Sequence, residues 1–142
     1  MVYGIRGLSP RIPDHRPNTY QRYLPNQKFA RYNRSMSREL LVFVTTPNSD
    51  EAEQIAGTLV SEQLAACVNI VGEIQSVYRW KGEVTRDKEA LIIIKTTDER
   101  YAALESRVKQ LHSYETPEVI AIAIEQGSAE YLSWLRESTR AV

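Results

Sequence analysis

"LLVFVTT", residues 40–46, and "LIIIKTT", residues 91–97, are the same unit written twice. Each is a run of apolar residues closed by a pair of threonines, and each gives way at once to a helical pattern. Neighbouring strand residues point to opposite sides of a sheet, so apolar residues at nearly every position predict strands buried on both faces.

Behind the first copy, Asn48 offers an N-cap and Glu51, three residues on, is placed as its capping-box partner. Ala52, Ile55, Ala56, Leu59, Val60 and Leu64 then recur at steps of three and four, which predicts an amphipathic helix over 49–65. Behind the second copy, Tyr101, Leu104, Val108 and Leu111 predict a helix over 98–111, with Asp98 and Glu99 in the first turn where the helix dipole favours acids.

"ACVNIVGEIQSVYRW" (66–80) reads as one long strand, broken or bulged at Gly72. Lys81-Gly82 is a turn, and "EVTRDKEALIIIKTT" (83–97) returns, making a long hairpin whose tip is more polar than its base. "PEVIAIAIE" (117–125) predicts a fourth strand; Gly127 stops it, and Ser128 caps a last helix from Ala129 to about Thr139, with Leu132 and Leu135 inward. The order β-α-β-β-α-β plus a C-terminal helix is α+β, and two βαβ halves with right-handed crossovers give a ferredoxin-like sandwich.

The chain has 142 residues, which suits one compact domain, and its 42% hydrophobic and 25% charged content matches an ordinary soluble core. No apolar stretch approaches the ~20 residues of a membrane span, and a single cysteine, Cys67, rules out an intrachain disulfide and suggests a reducing compartment. With that thiol and two histidines, one chain cannot close a four-ligand Cys/His zinc site.

The net charge of zero is unevenly spread: residues 1–35 hold seven basic residues against one acid, +6, leaving −6 on residues 36–142. That first segment also has four prolines and no apolar period, so it is expected to be a disordered basic extension ahead of a single domain over 36–142. It suits a dispensable extension upstream of a start at Met36, an organellar targeting segment, or an arm for nucleic acid or an anionic membrane aided by Tyr20, Tyr23 and Tyr32. Cytoplasmic location is the expectation, or organellar if the extension is a targeting segment.

A sheet covered by helices on one face leaves its other face bare, and Leu41, Phe43, Leu91, Ile93 and their alternates cannot all face two helices. The long hairpin would also hang in water with Val77, Tyr78 and Trp80 exposed. Both demands predict a tight homo-oligomer, foremost a trimer, in which neighbours cover the face and the sheet edges. The competing arrangement is a monomer whose last helix covers that face.

"LAACVNI" after the first helix, "SVYRWKGEV" at the hairpin, "IIIKTT", "HSYETPEVI" and "YLSWL" occur in that order between about Glu39 and Thr139. In these motifs the chain resembles the CutA divalent-cation-tolerance family. The resemblance implies a ferredoxin-like homotrimer akin to the PII signalling proteins, an unusually stable assembly, and a link to tolerance of copper and other divalent ions. It departs from the family at Ser113, where a proline usually follows the histidine, and it lacks the extra cysteines that some members carry, which weakens any copper site built on several thiols.

"HSYETPEVI" holds the candidate site. Pro117 forces Thr116 to be extended, making a rigid turn between the second helix and the fourth strand. Imidazole is a good ligand for Cu(II) and Zn(II), and carboxylate adds charge, so His112 and Glu115, joined by Cys67, are candidate ligands for Cu(II) or another divalent cation, none of them obligatory. The opposing reading is that His112 finishes the helix C-terminus, Tyr114 packs at a subunit seam, and Cys67 is a buried filler.

A second set is Trp80, Lys95, Tyr131 and Trp134, with Tyr114: a lysine interrupting an apolar strand needs an anion or a route to water. By resemblance to the PII effector site these positions lie near a cleft between subunits, which implies an anionic ligand there; otherwise Lys95 simply reaches the surface. No nucleophile elbow, P-loop or dinucleotide fingerprint is present, and Asp87 and Glu89 read as part of a solvated tip, so no enzymatic activity is expected.

Overall fold

The computed structural model describes residues 37–140. The basic extension over 1–35 and the start at Met36 lie outside the described residues.

The elements in chain order are β1 (Glu39–Thr46), α1 (Ser49–Ser61), β2 (Cys67–Trp80), β3 (Glu83–Thr97), α2 (Asp98–Leu111), β4 (Ile120–Ala123) and α3 (Ala129–Ser138). They form one antiparallel sheet in the order β2-β3-β1-β4, the ferredoxin-like α+β arrangement expected from the repeated strand–helix unit. The two copies of that unit lie side by side, with Val42 opposite Ile94 and Val44 opposite Ile92.

Alternation then sorts each strand's residues between the two faces. Val42, Val44, Ile92 and Ile94 are fully buried against Ile55 and Leu59 of α1 and Leu104 and Val108 of α2. Burying a Val, Leu or Ile side chain is worth about 1.5–3 kcal/mol, so this layer drives the fold. Their neighbours point the other way, in rows across the sheet: Cys67, Lys95, Leu41 and Ile122; then Asn69, Ile93, Phe43 and Ile120; then Val71, Leu91 and Thr45.

α3 lies over one end of this second face. Its Arg136 bonds the Glu39 carboxylate, Tyr131 feels the charge of Cys67, and Leu135 is fully buried. Among the described residues nothing covers the rest of the face, with Ile120 52% and Ile122 53% exposed. The last helix therefore covers only part of that face.

Several boundaries differ from those read in the sequence. α1 ends at Ser61 and not at residue 65, because Gln63 adopts φ 55° and the chain turns back, with Gln63 N–H donating to Val60 O at 3.1 Å and Leu64 N–H to Leu59 O at 2.9 Å. This is a Schellman cap with glutamine where glycine is usual. Leu64 and Ala65 are buried all the same, and the Thr96 hydroxyl donates to Leu64 O at 2.6 Å.

β4 shrinks to Ile120–Ala123 because it pairs only with Leu40–Phe43, and Pro117 has no N–H to offer a ladder. β2 starts at Cys67 rather than Ala66.

The hairpin follows the sequence closely. Trp80 pairs with Glu83 across Lys81 (φ 48°) and Gly82 (φ 88°), as a two-residue turn with both central residues left-handed requires. The register shifts between Val71 and Glu73, so Gly72 is the bulge. Beyond it the facing of β2 is reversed: Ile74, Ser76, Tyr78 and Trp80 join Glu89, Asp87, Thr85 and Glu83 on the face away from α1 and α2.

Candidate functional site

That reversal makes a groove of about 760 Å³. Its floor is Thr45 with Ser76, Tyr78, Trp80, Asp87 and Glu89 of the ribbon. Its wall is the segment after α2: Ser113, Tyr114, Glu115, Thr116 and Glu118. The local sequence dictates this placement. α2 ends at Leu111, and its C-cap His112, with extended backbone (φ −76°, ψ 139°), turns the chain back toward the sheet.

His112 anchors the wall. Its side chain is fully buried, Nε2 lies 2.8 Å from Thr45 O, and Nδ1 accepts the Tyr114 N–H at 3.0 Å. Nδ1 is therefore the acceptor and Nε2 carries the proton that it donates to Thr45 O. Glu51, cast from the sequence as a capping-box partner, reaches this site instead: Asn48 caps α1 by accepting Glu51 N–H at 2.9 Å, while Glu51 Oε1 accepts Ser113 N–H at 2.9 Å and lies 3.3 Å from His112 Nδ1.

The phenols hold the floor acids. Tyr114 OH donates to Glu89 Oε1 at 3.1 Å, and Tyr78 OH donates to Asp87 Oδ2. Burial, then the bond and charge of Glu89, push the Tyr114 phenol up to about 12. The bond to Asp87 raises that of Tyr78, with burial second. Both rings stay protonated donors at neutral pH. Glu89 is 8% exposed and hence no part of a solvated tip; once the bulge at Gly72 is counted, the alternation along the ribbon places it in the groove.

The candidate metal residues divide. Glu115 lines the groove wall and His112 is buried behind it, whereas Cys67 is at the α3 end of the sheet, opposite Lys95. Lys95 and Glu89 are six residues apart on one strand, about 20 Å. Among the described residues, no three His, Cys, Asp or Glu groups converge to hold one metal ion, and both His112 nitrogens are already engaged. The described residues of one chain thus bring no metal-ligand cluster together.

The candidate ligand-cleft residues divide in the same way: Trp80 and Tyr114 line the groove, and Lys95, Tyr131 and Trp134 gather at the other end. There the Lys95 ammonium donates to Cys67 Sγ at 3.8 Å, and the Tyr131 and Trp134 rings lie 5.3 Å apart. Burial first, and the charge of Cys67 second, raise the Tyr131 phenol.

With a four-stranded sheet, an overlong hairpin and this groove established, relatives become informative. Residues 40–138 match the family described as CutA1 divalent ion tolerance protein. The chain belongs to this family. The divalent-cation tolerance protein CutA of Thermus thermophilus is 50% identical over 101 residues, covering 71% of this chain and 98% of that protein; its solved structure superposes with a TM-score of 0.71 over 72% of this chain and 99% of the other. Rice CutA 1, named as chloroplastic, is 50% identical over 101 residues, 71% of this chain but 57% of the rice protein. A CutA structure from Archaeoglobus fulgidus, named as periplasmic, shares 40% identity with a TM-score of 0.70, covering 72% of this chain and 99% of that one.

CutA1 proteins are thus described by tolerance of divalent ions rather than by a reaction. Among the described residues, no helix is long and apolar enough to cross a membrane.

Proposed function

We propose that this CutA1 chain is a trimeric, non-enzymatic binding protein in the tolerance of divalent metal ions, copper foremost, with its ligand sites at the seams between copies. The observation that supports it is the open half of the second sheet face. Ile120 and Ile122 are half-exposed there, and on the same face the ribbon exposes Tyr78 (41%) and Trp80 (59%), while Val77 and Val84 are exposed on its reverse. Large apolar side chains left exposed in such numbers favour association with a partner surface.

A seam also answers the division of the metal candidates, because His112 and Glu115 of one copy can meet Cys67 of another. Imidazole favours Cu(II) and thiolate favours Cu(I). Copper would have to displace one of the two hydrogen bonds of His112, at a cost of about 1 kcal/mol.

The second reading is a PII-like sensor or scaffold that takes an anionic small molecule or a partner protein in the cleft between subunits. Lys95 favours it: among the described residues the one hydrogen-bond partner of its ammonium is Cys67 Sγ. In either reading the protein works in the cytoplasm, or in an organelle if residues 1–35 address it there.

Light scattering at micromolar concentration, followed by copper calorimetry, tests the proposal. The expected result is three times the chain mass of 16.3 kDa, with Cu(II) affinity lost in His112→Ala. A monomer mass removes the seams, and unchanged copper binding in the variant removes His112 as a ligand. An anionic metabolite that binds metal-free protein and is lost in Lys95→Ala selects the second reading.

A further inference from the structure

No further inference is drawn: the strongest candidate, the side-chain cluster of Lys95, Cys67, Tyr131 and Trp134 where α3 meets the second face of the sheet, belongs to the cleft already proposed for an anionic ligand.

Discussion

Replacing His112 separates a residue that builds the site from one that only ligates. The ring is fully buried and makes two directional bonds, Nε2 to Thr45 O at 2.8 Å and Nδ1 from Tyr114 N–H at 3.0 Å. Each such bond contributes about 1 kcal/mol, and truncation strands both backbone partners. Emptying the space of a buried ring adds about 1–2 kcal/mol, so His112→Ala should destabilise metal-free protein by about 3 kcal/mol.

Two further variants divide that loss. Glutamine places an N–H near the position of Nε2 and can keep the Thr45 bond, while asparagine places an oxygen near Nδ1 and can keep the Tyr114 bond. Each should recover about 1 kcal/mol. The assay is guanidinium unfolding in the presence of a chelator at one fixed protein concentration, since association links stability to concentration. If His112→Ala unfolds at the wild-type midpoint, the two bonds do not hold the wall and the reasoning fails.

Two more outcomes follow from local geometry. Gln63 sits at φ 55° in the cap of α1, where an L-residue pays about 1–2 kcal/mol that glycine does not; after the greater chain entropy of glycine, Gln63→Gly should gain about 0.5–1 kcal/mol, and an unchanged or lower unfolding midpoint refutes the strain. The Tyr114 phenol, pushed from 10.0 to about 12, binds its proton more tightly in the folded chain. Its contribution to stability is therefore complete below about pH 10 and lost as pH rises toward about 12. The difference between the ultraviolet titrations of wild type and Tyr114→Phe should be a late tyrosinate step; an ordinary midpoint for that difference contradicts the burial and the Glu89 bond.

Much of the fold was legible in the sequence because it rests on period and punctuation. The doubled "LLVFVTT" and "LIIIKTT" named the two central strands, Asn48 named the start of α1, and Lys81-Gly82 named the hairpin turn. Each signal acts over a few residues, so neighbours in the chain carry it. The α1 end escaped because Leu64 keeps the helical apolar period after Gln63 has already turned the chain. A buried residue on an exit turn and one on a helix look alike by spacing.

The site was less legible. His112, Tyr114 and Glu115 drew notice as a polar cluster before Pro117. Glu51 looked complete as a capping residue, and Glu89 looked like one more acid on a wet ribbon. Neither gave a local sign of its partner, since Glu51 and Ser113 are 62 positions apart and Tyr114 and Glu89 are 25 apart.

The sequence by itself determined the strand and helix order, and with it the face left bare, because side-chain alternation and helical period are properties of adjacent residues. Only the tertiary structure decided which polar groups meet. The Gly72 bulge reversed the facing of β2 and brought Trp80 and Tyr78 to Glu89 and Tyr114. Sheet length held Lys95, Cys67, Tyr131 and Trp134 about 20 Å away at the other end. Long-range pairing sets distances, and no local pattern encodes a distance.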